Sequence, residues 1–333
     1  MGVRMVLSRK PILAPSLMSR FSIVIPVYCN EPSLRSLHQR LAAEAAARPE
    51  VEHEFVFVDD GSEDGSFAVL EELARADVRV RVLKLTRNFG AHSAVLAGLG
   101  AASGDCAAVI AADLQEPADL PWRLFERWSP QTPVVIATRQ SRDERASTIA
   151  FARVYHATMR RLAFPKMPAG GFDCFLIDRR VITQITTHDE HNATLAGLVL
   201  WTGFHFDEVS YDRLRRPHGR SRWTLAKKLK LFVDTVVGFS YAPVRAMSLI
   251  GIFIGLIGFA YALLVVVRRV THGEDIAGWS SLMAAIMVLS GVQLIGLGIL
   301  GEYVWRTLDA ARRRPTFIVE ATRNIEDDTP PRG

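Results

Sequence analysis

Two stretches of this chain carry no Asp, Glu, Lys or Arg: Ala246–Val267 and Ile276–Gly301. Each exceeds the roughly 20 apolar residues that a helix needs to cross a bilayer. A helix so apolar must be covered by lipid or by a large protein core. Charged residues bracket both runs: Arg245 before the first, Arg268 and Arg269 between them, and Glu302, Arg306 and Arg312–Arg314 after the second. Two such runs in succession favour lipid over a pair of buried core helices. The expected spans are residues 246–267 and 279–305.

The remaining sequence is too charged for a wholly embedded protein. Of 333 residues, 49% are hydrophobic and 23% are charged, which also argues against disorder. Lys and Arg dominate the outer flanks of the spans, with Lys227, Lys228, Lys230, Arg245, Arg306 and Arg312–Arg314, against Arg268 and Arg269 in the short connection. The positive-inside rule then puts both termini on the cytoplasmic face of the cell membrane, as a multi-pass protein. Three cysteines, Cys29, Cys106 and Cys174, lack metal-ligand or C-x-x-C spacing, as expected of a reducing compartment. Arg4, Arg9, Lys10 and Arg20 interrupt any apolar core near the start, so residues 1–20 are read as a flexible extension rather than a signal peptide. Met18, just before the first strand, is an alternative start. Residues 306–333 read as a cytoplasmic tail, polar and mobile after Val319.

Residues 21–222 read as a cytosolic α/β domain. Near-continuous apolar runs at Phe21–Tyr28, Glu54–Asp59, Val80–Thr86, Cys106–Ala112 and Pro133–Thr138 alternate with helical patterns at Ser33–Arg48, Ser66–Ala76, His92–Ala102 and Ala118–Trp128. That alternation predicts a doubly wound, Rossmann-like parallel sheet covered on both faces. From 140 to 222 the pattern is irregular. Residues 223–243 place Leu225, Leu229, Phe232, Val233, Val236 and Val237 at helical spacing, with Lys227, Lys228 and Lys230 largely elsewhere. A basic amphipathic helix beside a span reads as an interfacial helix; a buried helix of the domain is the alternative.

Ligands of such sheets bind beyond the carboxyl ends of the strands. Here those ends carry Tyr28, Asp59-Asp60-Gly61-Ser62, Arg87-Asn88, Asp113 and Arg139. Asp113 would project into that crevice, where a hard divalent cation bound to phosphate uses one or two carboxylates; an N-cap is the plainer role for a lone Asp. Asp59 and Asp60 can accept from base or ribose donors, or simply close a turn. His188-Asp189-Glu190-His191 offers no third metal ligand and reads as a solvated loop. Arg213–Lys230 holds eight Lys or Arg and no acid. Next to a span it can engage anionic lipid, at about 1 kcal/mol per basic residue, or grip one phosphate. Nucleic acid is not expected, because aromatic residues are sparse there.

Taken in order, several stretches resemble the family 2 glycosyltransferases that act on polyisoprenyl phosphates, the dolichyl-phosphate mannose synthase-like and undecaprenyl-phosphate sugar transferases. They are Ile25-Pro26-Val27-Tyr28, Val58–Ser62, Arg87-Asn88-Phe89-Gly90, Ala112–Pro117, Gly219–Trp223, Gly298–Tyr303, Arg314-Pro315 and Phe317-Ile318-Val319. The likeness runs from about Phe21 to Val319 and is closest to the two-span bacterial branch. It implies a GT-A fold and inverting transfer of a sugar from a nucleotide sugar, of the UDP-hexose kind, to undecaprenyl phosphate. By the same resemblance Pro26, Tyr28, Glu31, Asp59, Asp60, Asn88 and Asp113 would hold the donor, and Asp113 and Gln115 would hold Mg²⁺ or Mn²⁺. Arg139, Ser221 and Arg222 would meet the acceptor phosphate, Arg139 alternatively the donor diphosphate, and Asp113, Arg139 and Asp173 would be catalytic. A homo-oligomer is compatible with it. Three positions depart from the family pattern: Ala111 replaces a further acid, Cys29-Asn30-Glu31 replaces Asn-Glu-Glu, and Cys174-Phe175 follows Asp173 without the Arg often found in that region.

An acceptor phosphate is already anionic near neutral pH, so it needs less help from a base than a hydroxyl would. Such a reaction chiefly requires alignment and charge stabilisation. Two other readings stay open. A processive polysaccharide synthase usually carries Gln-x-x-Arg-Trp, but Gly219 stands at the Gln position before Arg222-Trp223. A catalytically inactive scaffold of a glycan assembly system has Ala111 in its favour.

Overall fold

The computed structural model describes residues 19–140, 157–161, 164–165, 167–168, 171–187, 194–214, 236–237, 240, 242–272 and 278–325. These fall into two units. One comprises residues up to Thr224 together with Pro315 onward; the other is Leu225–Arg314.

In the first unit, chain order runs β1 (Arg20–Val27), α1 (Glu31–Ala46), β2 (Glu52–Asp59), α2 (Ser66–Ala76), β3 (Val80–Leu85), α3 (Ala91–Ala101), β4 (Cys106–Val109), α4 (Leu120–Phe125) and β5 (Val134–Arg139). Then follow β6 (Phe175–Asp178), α5 (Arg179–Thr187), α6 (Leu195–Trp201), β7 (Phe206–Tyr211) and, after the second unit, β8 (Val319–Arg323). Among the described residues these strands make one sheet, in the order β7-β5-β6-β4-β1-β2-β3-β8.

The apolar runs become the central strands because both faces are covered: Phe21, Ile23, Val24 and Ile25 of β1 and Phe55, Val56 and Phe57 of β2 have no exposed surface. Pro26 sits in a central strand without breaking it. Its partner on β2 is Val58, whereas pairing with β4 ends at Val24–Val109, so the missing N–H faces a side with no ladder. Helix α1 buries Leu34, Leu37, Leu41 and Ala45, a three-and-four spacing that lays one stripe on the sheet.

The parallel sheet read from the sequence is in fact mixed. Strands β1, β2, β3 and β4 are mutually parallel, as are β5 and β7. Strand β6 runs antiparallel between β4 and β5. The C-terminal tail also differs from expectation: Val319–Arg323 pairs antiparallel with β3 instead of trailing as a mobile end. An edge strand is paired on one side only, so its sequence need not be apolar.

The second unit holds α7 (Ala242–His272) and α8 (Trp279–Arg312), both longer than the charge-free runs. Each contains a candidate membrane-spanning stretch, Pro243–Val265 and Ala285–Arg312, whose side chains are not buried within the protein. Leu249, Ile252, Phe253, Leu256 and Phe259 stand exposed along α7. The Tyr303 hydroxyl donates to the Ser240 carbonyl at 2.9 Å, tying the approach of α7 to α8. The proposed amphipathic helix at 223–243 falls almost wholly outside the described residues.

Two glycines of α3 make opposite predictions. A Cβ on Gly98 would lie 2.4 Å from Val24 Cγ1 and 3.0 Å from Val58 Cγ2, so this glycine lets the helix seat on the sheet. A Cβ on Gly100 meets nothing within 4 Å. Gly98→Ala should destabilise the domain by about 1–3 kcal/mol through overpacking. Gly100→Ala should stabilise it by up to about 1 kcal/mol, the ordinary helical preference. Thermal unfolding of the two variants side by side checks the sign; a rise for both would show that α3 is not packed this closely.

Candidate active site

The carboxyl ends of β1 to β5 gather the side chains that carry chemistry. At the end of β1, Cys29 adopts φ 51, a left-handed conformation. Its N–H donates to Ser62 Oγ at 2.9 Å, that of Tyr28 to Asn30 Oδ1 at 3.0 Å, and that of Asn30 to Ser66 Oγ at 2.9 Å. Ser33 Oγ donates to the Ala112 carbonyl at 2.7 Å. The first loop is therefore fastened to the turn after β2 and to the loop after β4.

Asp60 closes β2 and accepts from the backbone N–H groups of Phe89, at 2.7 Å, and Gly90, at 2.9 Å. Gly61, at φ 65, has no room for a side chain, since a Cβ would fall 2.4 Å from the Arg87 carbonyl carbon. Thus Asp60 and Gly61 lock the turn after β2 against Arg87–Gly90. Asp59 is fully buried; its Oδ1 accepts from Ser62 N–H at 3.3 Å, and its Oδ2 has no hydrogen-bond partner. Burial raises the pKa of both carboxyls. Asn88 is exposed on the same loop, and Pro26 and Tyr28 are half-buried at the end of β1. Glu31, the first residue of α1, accepts the Gly65 N–H on its carboxylate at 2.9 Å, next to the start of α2.

After β4 the chain makes a tight loop with Leu114 at φ 61, buried, and Asp113 Oδ1 accepting the Gln115 N–H at 3.1 Å. Gln115 is held by the segment after β7. Its Oε1 accepts from Arg213 Nη2 at 2.6 Å, and its carbonyl accepts the Leu214 N–H at 2.8 Å. That amide oxygen therefore already holds a guanidinium, with one acceptor lone pair left over. Asp113 remains as one hard carboxylate, enough for a cation whose other ligands are diphosphate oxygens and water. Among the described residues no three His, Cys, Asp or Glu side chains converge as a metal centre.

Arg139, at the end of β5, pairs with Asp173 and reaches the Tyr211 hydroxyl with Nε at 3.4 Å. Burial lowers its pKa, but the Asp173 carboxylate and the Tyr211 hydroxyl outweigh this and raise it. The structure thus brings Asp113, Gln115, Arg139 and Asp173 to one end of the sheet. Ser221 and Arg222, expected near an acceptor phosphate, lie outside the described residues, as does His188–His191.

Sequence reading assigned no role to Glu116, Cys174 or Tyr211. Glu116 is buried, with Oε2 lacking a hydrogen-bond partner. Burial, reinforced by the charge of Asp113, pushes its pKa up to about 7. The Cys174 thiol is buried close to Glu116, and burial raises its pKa well above the usual thiol value. Tyr211 is raised mainly by burial. The adjacency of Glu116 to Asp113 and Gln115 was the sequence signal for it; Tyr211 and Cys174 had none, because pairing of β5 with β6 and β7 brings them in.

The mixed α/β sheet, with acids and guanidiniums gathered at its strand ends, is that of a glycosyltransferase, as the relatives of the chain show. The chain belongs to glycosyltransferase family 2, whose model matches residues 22–186. An uncharacterized glycosyltransferase of Bacillus subtilis, YkcC, is 35% identical over 309 residues, spanning 92% of this chain and 95% of the relative. A bactoprenol glucosyl transferase of Shigella phage SfV is 33% identical over 303 residues, 90% of this chain and 98% of its own length. Among solved structures, the Pyrobaculum calidifontis mannosyltransferase PcManGT, in complex with GDP-Man and Mn²⁺, aligns over 90% of this chain and 88% of its own with a TM-score of 0.44 and 13% identity.

Glu116 generates a pH prediction. In the unfolded chain it titrates near 4.5, and in the fold near 7. Below the lower value both states hold the proton. As pH rises between the two, the unfolded chain releases its proton first, so this carboxyl costs stability increasingly; above the upper value the cost is complete. Glu116→Gln stays neutral throughout. Its margin in melting temperature over the parent, without added metal, should therefore grow between pH 5 and pH 7 and then level off. A margin independent of pH would mean that Glu116 is charged in the fold or reaches water.

Proposed function

We propose that this glycosyltransferase moves a sugar from a nucleotide sugar, probed first as a UDP-hexose, to a polyisoprenyl phosphate of the undecaprenyl type at the cytoplasmic face of the membrane. The observation that carries this reading is the gathering of Asp113, Arg139 and Asp173 at the same end of the sheet as the Asp59–Ser62 and Arg87–Gly90 loops. In support stand relatives over nearly the full chain that are named for transfer to bactoprenol, and two candidate membrane-spanning helices. The excess of Lys and Arg outside the spans supports cytoplasmic termini.

In this reading the turn after β2 and the Arg87–Gly90 loop cradle the nucleoside, with Pro26 and Tyr28 as the wall from β1. Asp113 would hold Mg²⁺ or Mn²⁺ with the donor diphosphate, and the metal, when bound, stabilises charge on the departing nucleoside diphosphate. Arg139 is held ready by Asp173 and Tyr211, so it needs little reorganisation to meet a phosphate. The acceptor phosphate oxygen attacks the anomeric carbon from the side opposite the leaving diphosphate, which inverts the configuration. Ser221, Arg222 and the rest of the basic run would steer that phosphate and anionic lipid.

The direct test is a panel of UDP- and GDP-sugars with undecaprenyl phosphate in detergent, with the lipid product identified by mass. One donor should give a metal-dependent product. Asp113→Ala should cut turnover at least about a hundredfold at an unchanged melting temperature. Full activity in that variant would remove Asp113 from the site. A folded protein that binds no donor by calorimetry, with or without Mn²⁺, would instead fit an inactive scaffold.

A further inference from the structure

The donor loops are braced by residues that follow both apolar helices. Strand β8 pairs along β3 from Arg323–Val82 to Val319–Leu85. Just past the ladder, the Thr86 N–H donates to the Ile318 carbonyl at 3.0 Å. Thr86 begins the segment whose next residue, Arg87, packs its backbone on Gly61, and whose Phe89 and Gly90 N–H groups are held by Asp60. A continuous path of backbone contacts therefore leads from the C-terminal strand to the turn after β2.

The strand is anchored well enough to act as a brace. Asn324 Nδ2 donates to the carbonyls of Ala74, at 2.7 Å, and Val80, at 2.9 Å. Arg323 pairs with Glu71 of α2 at 2.5 Å, and Glu320 with Lys84 of β3 at 3.0 Å.

We infer that Ile318–Asn324 is a positioning strand for the donor site, holding Arg87–Gly90 against Asp60 and Gly61 so that nucleotide affinity depends on chain encoded after both apolar helices. The inference deepens the proposed function and rests on its reading of those loops as the nucleotide cradle. It gives the Phe317-Ile318-Val319 motif a physical role. Positioning is all it claims, since nothing in Ile318–Asn324 need touch the sugar or the reacting phosphate.

The test uses the full-length protein in detergent. Successive strand residues point their N–H groups to opposite sides, so the double variant Ala321→Pro/Thr322→Pro must remove one donor aimed at β3. UDP with Mn²⁺ is titrated by calorimetry, and hydrogen exchange is followed at residues 60–62, 86–90, 106–115 and 319–324. The dissociation constant for UDP should rise roughly tenfold, the loss of a little over one kilocalorie per mole of preorganisation. Exchange should quicken at 60–62 and 86–90 and stay slow at 106–115. Restoring the donors with Ala321→Ser/Thr322→Ser should restore both readouts.

If the double proline variant does not fold, Asn324→Ala, which releases the far end of the strand, is judged by the same criteria. A strand that exchanges freely at 319–324 while UDP affinity and exchange at 86–90 stay at parental values overturns the inference. A parental protein that binds neither UDP nor GDP sinks the donor reading itself, whereas exchange at 86–90 still decides whether the strand positions that loop.

Discussion

One carboxylate ties the donor end of the sheet together. Asp60 stands where β2 stops and spends both oxygens on backbone N–H groups of the loop after β3. Each of these bonds satisfies a donor that a tight loop could not otherwise pair, and hydrogen bonds to a charged acceptor are the stronger kind. The two strands are parallel neighbours, so their ends emerge side by side, and a short acid at the first end can reach the second. Gly61 adds the steric half of the same constraint, since the Arg87 backbone occupies the space a side chain would need. The turn after β2, the loop after β3 and, through Ser62, the loop after β1 thus behave as one body.

At the other half of the crevice, charge balance decides what can be buried. Asp173 pairs with Arg139, and the buried Glu116, with one oxygen unpaired, feels the charges of Asp113, Arg213, Asp173 and Arg139. An ionised Glu116 would add a negative charge to this group at the one carboxyl that water barely reaches. Burial, reinforced by the charge of Asp113, holds the Glu116 pKa up at about 7 and so disfavours that extra charge. The deepest acid gives way because desolvation is its largest cost, whereas Asp173 is mostly exposed and stays paired with Arg139. A guanidinium already held by fixed partners, as Arg139 is, suits the reception of a diphosphate.

Elements whose apolar side chains face the core on both sides were legible. The strand read at Val80–Thr86 is β3 at Val80–Leu85, and the helix read at Ser66–Ala76 is α2 residue for residue. What escaped was whatever depends on pairing. Strand β6 is four residues long, Phe-Leu-Ile-Asp, and its direction cannot be read from composition. Its antiparallel insertion carries Asp173 and Cys174 to the end of β4, opposite Arg139. Strand β8 reads Val-Glu-Ala-Thr-Arg, with no apolar face to announce it, because one edge meets β3 and the other meets solvent. In the site, Asp59, Asp60 and Asp113 were visible as acids at strand ends, but that Asp60 binds backbone and Gln115 binds Arg213 follows from loop contacts alone.

The position of β8 in the chain adds a constraint on how the sheet is completed. Without it, β3 would present a row of unpaired backbone groups, the feature that invites pairing with other chains. Its partner is made only after some ninety residues of the helical unit have been synthesised, since that unit spans Leu225–Arg314. The chain that closes between β3 and β8 is longer still, residues 86–318, but the entropy of closure grows only logarithmically with length. Delay, rather than stability, is therefore the consequence. Until both apolar helices have been made, β3 is an open edge and Thr86 lacks its acceptor. Charged side chains on the strand that finally covers it, Glu320 and Arg323, leave the outer edge of the finished sheet ill-suited to a further strand.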